Sequence, residues 1–462
     1  MEFRYLAYWA NGDGTERLMH TDVPLFEVDV TSELSGTGVM RAAVAPEFLR
    51  ERDSTGAAVL TRWATVIYVE LEDQLFDAFI LRDIVDEGDV VRLELVGFLG
   101  FFAGLPYDTV YNRGNVPSDQ VVRELVNHPS RRPGGRLGFR VSFEGVWPRI
   151  GNPLPPDVPV IPPVPRNPGK FKDKQPKYPK YPEYPKKSSK VALNSYNAAK
   201  KRYEAAKKKY DADMKAYYKR QEAHNKRVSE FKNKESERKQ KIEERKRVYE
   251  DAKVKFNWWS TTDLLSEINR LSSELSFEYR VSHWWSGESA VHSIEFARPS
   301  FSRRRHDIAF VEGENVLVLP KIELSGDKFA NEVRLIGRGE GNKTVLEWAQ
   351  VPAGGRHGLA RVLTLTDKSA YRREAMRADA VRALRYFRDP VKFDRFRFVD
   401  SELARFGSFR VGDDVLWQSV DRRGVNRDVW VTITEVTVRP DKGECELRVV
   451  SSDGLAQGDG GV

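Results

Sequence analysis

The sequence predicts a mainly β protein with some α: two β-barrel-like lobes and additional α+β structure, interrupted by one long proline-rich and helical insert. Three observations predict it. Short runs of β-branched and alternating residues, separated by polar turns, fill both ends of the chain. Twelve of the 24 prolines fall between Pro153 and Pro185, which excludes an ordinary helix or central strand there. From Ser188 to Phe256 there is then no glycine or proline at all, in a stretch rich in Lys, Glu, Ala and Arg that favours one long helix.

The flanks come first. In residues 1–150, read as an N-terminal β-rich lobe, strand-like runs lie at Thr65–Leu71, Phe79–Val85 and Val90–Val96. A short helix, Gln120–Asn127, follows Pro117, with Ser118 or Asp119 as its cap. Residues 258–390 read as an α+β domain carrying the second lobe. A capped helix starts at Thr261 and runs to Leu275, strands follow at Phe277–His283, Ser293–Phe296, Asn315–Leu319, Glu332–Ile336 and Ala360–Thr366, and a helix runs from Lys368 to Phe387. Residues 391–462 form a C-terminal β-rich part, in which Val429–Val438 alternates cleanly and can pair with Glu446–Val450.

The insert has two parts, a polyproline II arm over 151–187 and a long basic helix over 188–257. The triplets Lys177-Tyr178-Pro179, Lys180-Tyr181-Pro182 and Glu183-Tyr184-Pro185 carry the three-residue period of polyproline II, which lines their tyrosines along one edge. In the helix, Tyr196, Tyr203, Tyr210 and Tyr217 recur every seven residues, and His224 and Phe231 continue the register. Ser188 or Ser189 suits its N-cap. About 37 arm residues at ~3.1 Å each match a helix of about 100 Å. Tyr178, Tyr181 and Tyr184 can therefore interleave with the helix stripe if the arm runs out and the helix runs back. A three-stranded coiled coil and an isolated charged helix stay open beside this folded-back arm.

Charge is uneven. Lys170 to Lys255 holds 29 Lys/Arg against 13 Asp/Glu, a surplus of +16, so the remainder of a chain of net +8 stands at −8. The flanks are thus no general nucleic-acid surface. The insert suits anionic partners.

Catalytic signatures are thin. The seven histidines form no HExxH or HxH pattern, there is one cysteine, Cys445, and no Gly-x-Ser-x-Gly elbow occurs. No metal, cofactor or enzymatic activity is expected. Gly337, Gly339, Glu340 and Gly341 lack the Lys-Ser/Thr pair of a phosphate loop and read as a tight turn. Arg303, Arg304 and Arg305 read as a solvated loop or subunit contact. Trp258-Trp259 and Trp284-Trp285 each read as one core and one interface residue. The longest apolar run is too short to span a bilayer, and the first residues do not resemble a signal peptide.

Four features in order resemble the tail-hub, or minor tail, proteins of long-tailed, siphovirus-type phages that infect actinobacteria. They are the Phe79–Val85 strand with the apolar strand through Phe98, the Ala330–Gly341 strand and GxGEG turn, the helix after Lys368, and Phe409–Val415 leading into paired final strands. The resemblance covers both flanks and not the insert. It implies a structural virion protein with two related β-barrel hub lobes, assembled in the host cytoplasm. Three copies would close the tail tube at its tip as a homotrimer. Expected partners are the tube-end and other tail-tip proteins, with the tape-measure protein or anionic host-envelope polymers for the basic insert. Alternatives are a carbohydrate-binding receptor adhesin using the tryptophans, and a cell-wall-degrading tail enzyme.

Overall fold

The structure is a computed structural model that describes residues 2–153, 158–186, 189–261, 263–301, 303–318, 323–324, 329–339, 341, 344–351, 359–367, 370, 373–388, 391–392, 395–420 and 426–452. It separates into two units. One comprises Met1–Tyr111, Val116–Arg149 and Lys255–Val462; the other comprises Asn112–Asn115 and Ile150–Val254. Among the described residues there are four α-helices: α1 (Ser118–Asn127), α2 (Lys190–Asp251), α3 (Leu264–Leu275) and α4 (Arg373–Arg388).

The first unit is mostly β, in several sheets, and none of them closes into a barrel among the described residues. The main sheet has 13 strands. Seven come from the N-terminal part: Phe3–Ala10, Glu16–His20, Phe26–Glu33, Val39–Val44, Thr65–Leu71, Gln74–Asp86 and Val91–Gly97. Six come from the C-terminal part: Arg303–Val311, Val316–Val318, Arg395–Phe398, Asp413–Val420, Asn426–Arg439 and Glu444–Ser451. The two parts meet on one long strand. Asn426–Arg439 pairs along one edge first with Asp413–Val420 and then, from Glu435↔Glu33 to Val438↔Val30, with Phe26–Glu33. The strand is 14 residues long; its apolar residues alternate at Val429, Val431 and Ile433 and, past a register shift before Glu435, at Val436 and Val438, so it serves both neighbours.

Two cores result. Ile67, Val69, Phe79, Leu81, Leu93 and Leu95 point to one side of the N-terminal strands. Phe310, Phe396, Phe398, Trp417, Ile433 and Leu447 build the second core, at the C-terminal part. All seven residues of Thr65–Leu71 are buried, because its other face is covered as well. There Val66, Tyr68, Ile80 and Val96 meet a three-stranded sheet made of Phe139–Gly145, Ser289–Arg298 and Glu278–Ser286. Burial of each such aliphatic side chain contributes about 1.5–3 kcal/mol. Cys445 lies inside the second core, and burial raises its thiol well above the ordinary range.

A smaller α+β layer packs α4 on strands Glu332–Ile336, Leu346–Gln350 and Val362–Thr366, with Val333, Leu335, Ala349, Met376, Ala380 and Leu384 between them. Of the helix expected from Lys368, the described part is α4. Two local expectations change. Ser118 is the first residue of α1, not its cap; Pro117 holds that position without a side-chain bond. Arg303–Arg305 belong to a strand paired with Asp413–Val415, not to a loop.

Candidate functional site

The second unit is built around α2, a helix of 62 residues and so about 93 Å long. Ser189 caps it, accepting from the Ala192 amide; Ser188 lies outside the described residues. None of its side chains is fully buried. Its stability therefore comes from propensity, from pairs such as Lys239–Glu235, Lys241–Glu244 and Lys246–Glu243 at ~0.2–0.5 kcal/mol each, and from what lies along it.

What lies along it is the proline-rich segment. Residues 158–186 form neither helix nor strand. Their aromatic rings meet the helix stripe in reverse order. Tyr184 packs edge-on against Tyr196 at 4.9 Å, Tyr181 against Tyr203 at 4.7 Å and Tyr178 against Tyr210 at 5.0 Å between ring centroids. The hydroxyls are offset by one step: Tyr178 shares a hydrogen bond with Tyr203 at 3.1 Å, and Tyr181 with Tyr196 at 3.3 Å. These bonds raise the phenol pKa values of Tyr203 and Tyr196, first through the hydrogen bond itself and then through desolvation.

The ladder is antiparallel, with three arm residues to each seven of the helix. Seven helical residues rise about 10.5 Å, so the arm advances about 3.5 Å per residue, at the extended limit of a chain and somewhat beyond the ~3.1 Å of polyproline II. Proline suits such a segment because it fixes φ and gives up an amide that no ladder requires.

Farther along, Phe171 meets Tyr217 at 5.6 Å and His224 at 5.4 Å, and Asp173 accepts from Arg220 at 2.6 Å. Sequence reasoning missed Phe171 and Asp173, since neither belongs to the triplet repeat. Phe231 is half-buried on the same helix, and the ring contacts among the described residues stop at His224. Tyr178, Tyr181 and Tyr184 each keep more than half of their surface exposed. The unit thus presents an aromatic seam amid lysines, a surface suited to contact.

The glycine turn lies elsewhere, between Glu332–Ile336 and Leu346–Gln350. The Gly337 amide donates to the Val345 carbonyl at 2.8 Å, and the Val345 amide to the Arg338 carbonyl at 2.8 Å. Gly339 and Gly341 adopt φ of 118° and 56°, which glycine takes freely. Glu340 lies outside the described residues. The loop serves the hairpin. Trp258 and Trp259 stand in a turn, and both are exposed, at 60% and 59%. The expectation of one core and one surface residue fails because strand alternation does not operate there. Trp285 does follow it, donating to Glu70 at 2.8 Å beside Tyr68. Among the described residues no helix is long and apolar enough to cross a membrane.

No protein-family model matches the chain, and no curated relative matches it. Solved structures do. The 43 kDa tail protein of prophage MuSo2 from Shewanella oneidensis matches with a TM-score of 0.50 at 9% identity, over 98% of this chain and 99% of that one. The prophage tail protein gp18 from Listeria monocytogenes EGD-e gives 0.48 at 9% identity over 98% and 95% of the two chains. A tail protein from Neisseria meningitidis MC58 gives 0.47 at 10% identity over 98% of each. At such identity it is the backbone arrangement that is shared: the chain, mainly β and built from several sheets, has a fold found in a phage tail protein.

Proposed function

We propose that this chain is a structural protein of a phage tail, a homotrimeric hub at the tail tip that closes the tube and docks neighbouring tip proteins. The observation that carries the reading is the likeness to the MuSo2 tail protein along essentially the full length of both chains. Its narrower assignment, to long-tailed phages of actinobacteria, rests on the order of the four sequence features in the flanks. Its mechanism is geometric: lobes from three copies match a six-fold tube to a three-fold tip, and closed rotational symmetry satisfies every copy's contacts. No enzymatic step is assigned. The folded-back arm and helix, with their surplus of lysine, are a mechanical projection suited to an acidic partner, either the tape-measure protein or an anionic polymer of the host envelope.

Sedimentation equilibrium of the purified chain tests the reading directly. A mass of three chains, together with antibody labelling at the tip of intact particles, supports it; a monomer at all concentrations that labels no particle defeats it. A second reading, a glycan-binding adhesin, is favoured by one feature, the exposed Trp258 and Trp259 packed edge-on at 5.3 Å. Specific ligands on a glycan array would favour it.

A further inference from the structure

Two strands of the first unit end their sheets beside the same cavity. Among the described residues Phe139–Gly145 has one ladder neighbour, the parallel Ser289–Arg298. Among the same residues Arg303–Val311 has one as well, Asp413–Val420, and its Ala309 amide donates to the Leu403 carbonyl at 3.1 Å, beyond the arginines. The cavity, about 670 Å³, is lined by three consecutive residues of the first strand, Ser142, Phe143 and Glu144, and by three of the second, Arg303, Arg304 and Arg305. Successive side chains on a strand point to opposite faces. Three in a row line the same space only where the strand meets it edge-on. Such an edge offers main-chain donors and acceptors to an incoming strand.

The lining is also charged, with arginine in excess: Arg280, Arg303, Arg304, Arg305 and Arg410 against Glu144, Glu295, Asp307 and Asp413. Several of these are already engaged. Arg280, 6% exposed, donates to Glu295 at 2.9 Å and to the Val411 carbonyl at 2.8 Å, and lies over the Phe301 ring. Arg305 chelates Asp307 and reaches Asp413 at 3.3 Å. Arg304 stacks on Trp430. Arg410 is held less completely. It donates to the Ser282 hydroxyl at 2.9 Å and reaches Glu295, which Arg280 already uses, only at 3.6 Å. Its guanidinium stands among Arg280 and Arg305 as well as Glu295 and Asp413, and with about half of the side chain exposed it is open to an incoming carboxylate.

We propose that this slot receives an extended acidic segment of another polypeptide, which adds a strand along these edges and sets carboxylates against Arg410 and Arg303. Main-chain pairing supplies affinity in such strand addition, and alternate side chains supply specificity. A nucleic acid would use the arginines and leave both edges idle. The inference stands on these residues alone and does not depend on the tail reading.

The test uses the full chain and a fluorescent heptapeptide alternating valine and glutamate. Saturable binding is expected, with slowed amide exchange in 139–145 and 303–311. It should weaken at least tenfold for Arg410→Gln combined with Arg303→Gln, and be lost for the same peptide with a central proline. A lysine version of the peptide should not bind. Three results each overturn the proposal: no saturable binding, equal binding of the proline peptide, or equal binding by the doubly substituted protein shown by its melting curve to be folded.

Discussion

Buried between two sheets, His283 and His292 face each other with their Nδ1 atoms 2.7 Å apart, a separation that places one proton between them. The Nε2 of His292 lies 3.0 Å from the Tyr68 hydroxyl and 3.4 Å from Glu16, and that of His283 lies 3.5 Å from Asp77. Burial, followed by the charge of His292, holds His283 well below the ordinary imidazole value. Burial also pushes Asp77 up to about 6, opposed by hydrogen bonds from Ser32 and the Ala78 amide. The two work in opposite directions. A depressed histidine contributes stability above its unfolded pKa near 6.5 that is lost on acidification. A raised carboxyl contributes below about 3.9 and loses that contribution as pH rises through about 6. Asp77→Asn removes the second effect. It should stabilise the protein by about 1–3 kcal/mol at pH 7.5 and change little at pH 4, the upper figure discounted because the side chain retains 17% exposure. Urea midpoints at the two pH values check this; equal destabilisation at both would contradict it. At Gly337 the limit is steric. A methyl group there would stand 2.5 Å from the Ala370 carbonyl oxygen and 2.7 Å from the end of the Met376 side chain. Methionine can move aside and the main chain cannot, so Gly337→Ala should cost about 1–3 kcal/mol in a thermal melt. The sequence marked Gly337 only as a turn; a close approach to α4 is a tertiary fact that no local pattern records.

At the scale of the element, the arm and α2 were the most legible part of the chain. Sixty-odd residues without glycine or proline leave few alternatives to helix, and a seven-residue aromatic spacing beside a three-residue one states a length match that elementary geometry can read. Replacing Tyr178, Tyr181 and Tyr184 together by alanine should remove about 2–4 kcal/mol of ring contact. Amide exchange over 196–210 should quicken while that over 235–251 stays unchanged. Uniform protection along α2 in the variant would show that the helix needs no arm. The misses have equally local causes. Ser118 lost the cap because the helix begins at Ser118 itself, two residues before the expected Gln120, which leaves Pro117 at the cap. The alternation argument for Trp258 and Trp259 assumed a strand where the chain turns, and Arg303–Arg305 read as loop because charge outweighed their pairing with Asp413–Val415.

For the whole molecule, individual strands were visible in sequence but their neighbours were not. Alternation tells which face of a strand is apolar; it says nothing of which strand lies alongside. The chain read as two β-barrel-like lobes, and no local pattern foretold that Phe26–Glu33 pairs with Asn426–Arg439, so that among the described residues one 13-stranded sheet links the two parts. That pairing has a temporal consequence. A ribosome adding about 5–20 residues per second needs roughly 20–80 s after Phe26–Glu33 has emerged to deliver the strand that completes its outer edge. For all that time, while the lysine-rich insert is being made, the nascent N-terminal sheet waits with one border unfilled. It is then that a chaperone, or any chain with a strand to offer, has its opening.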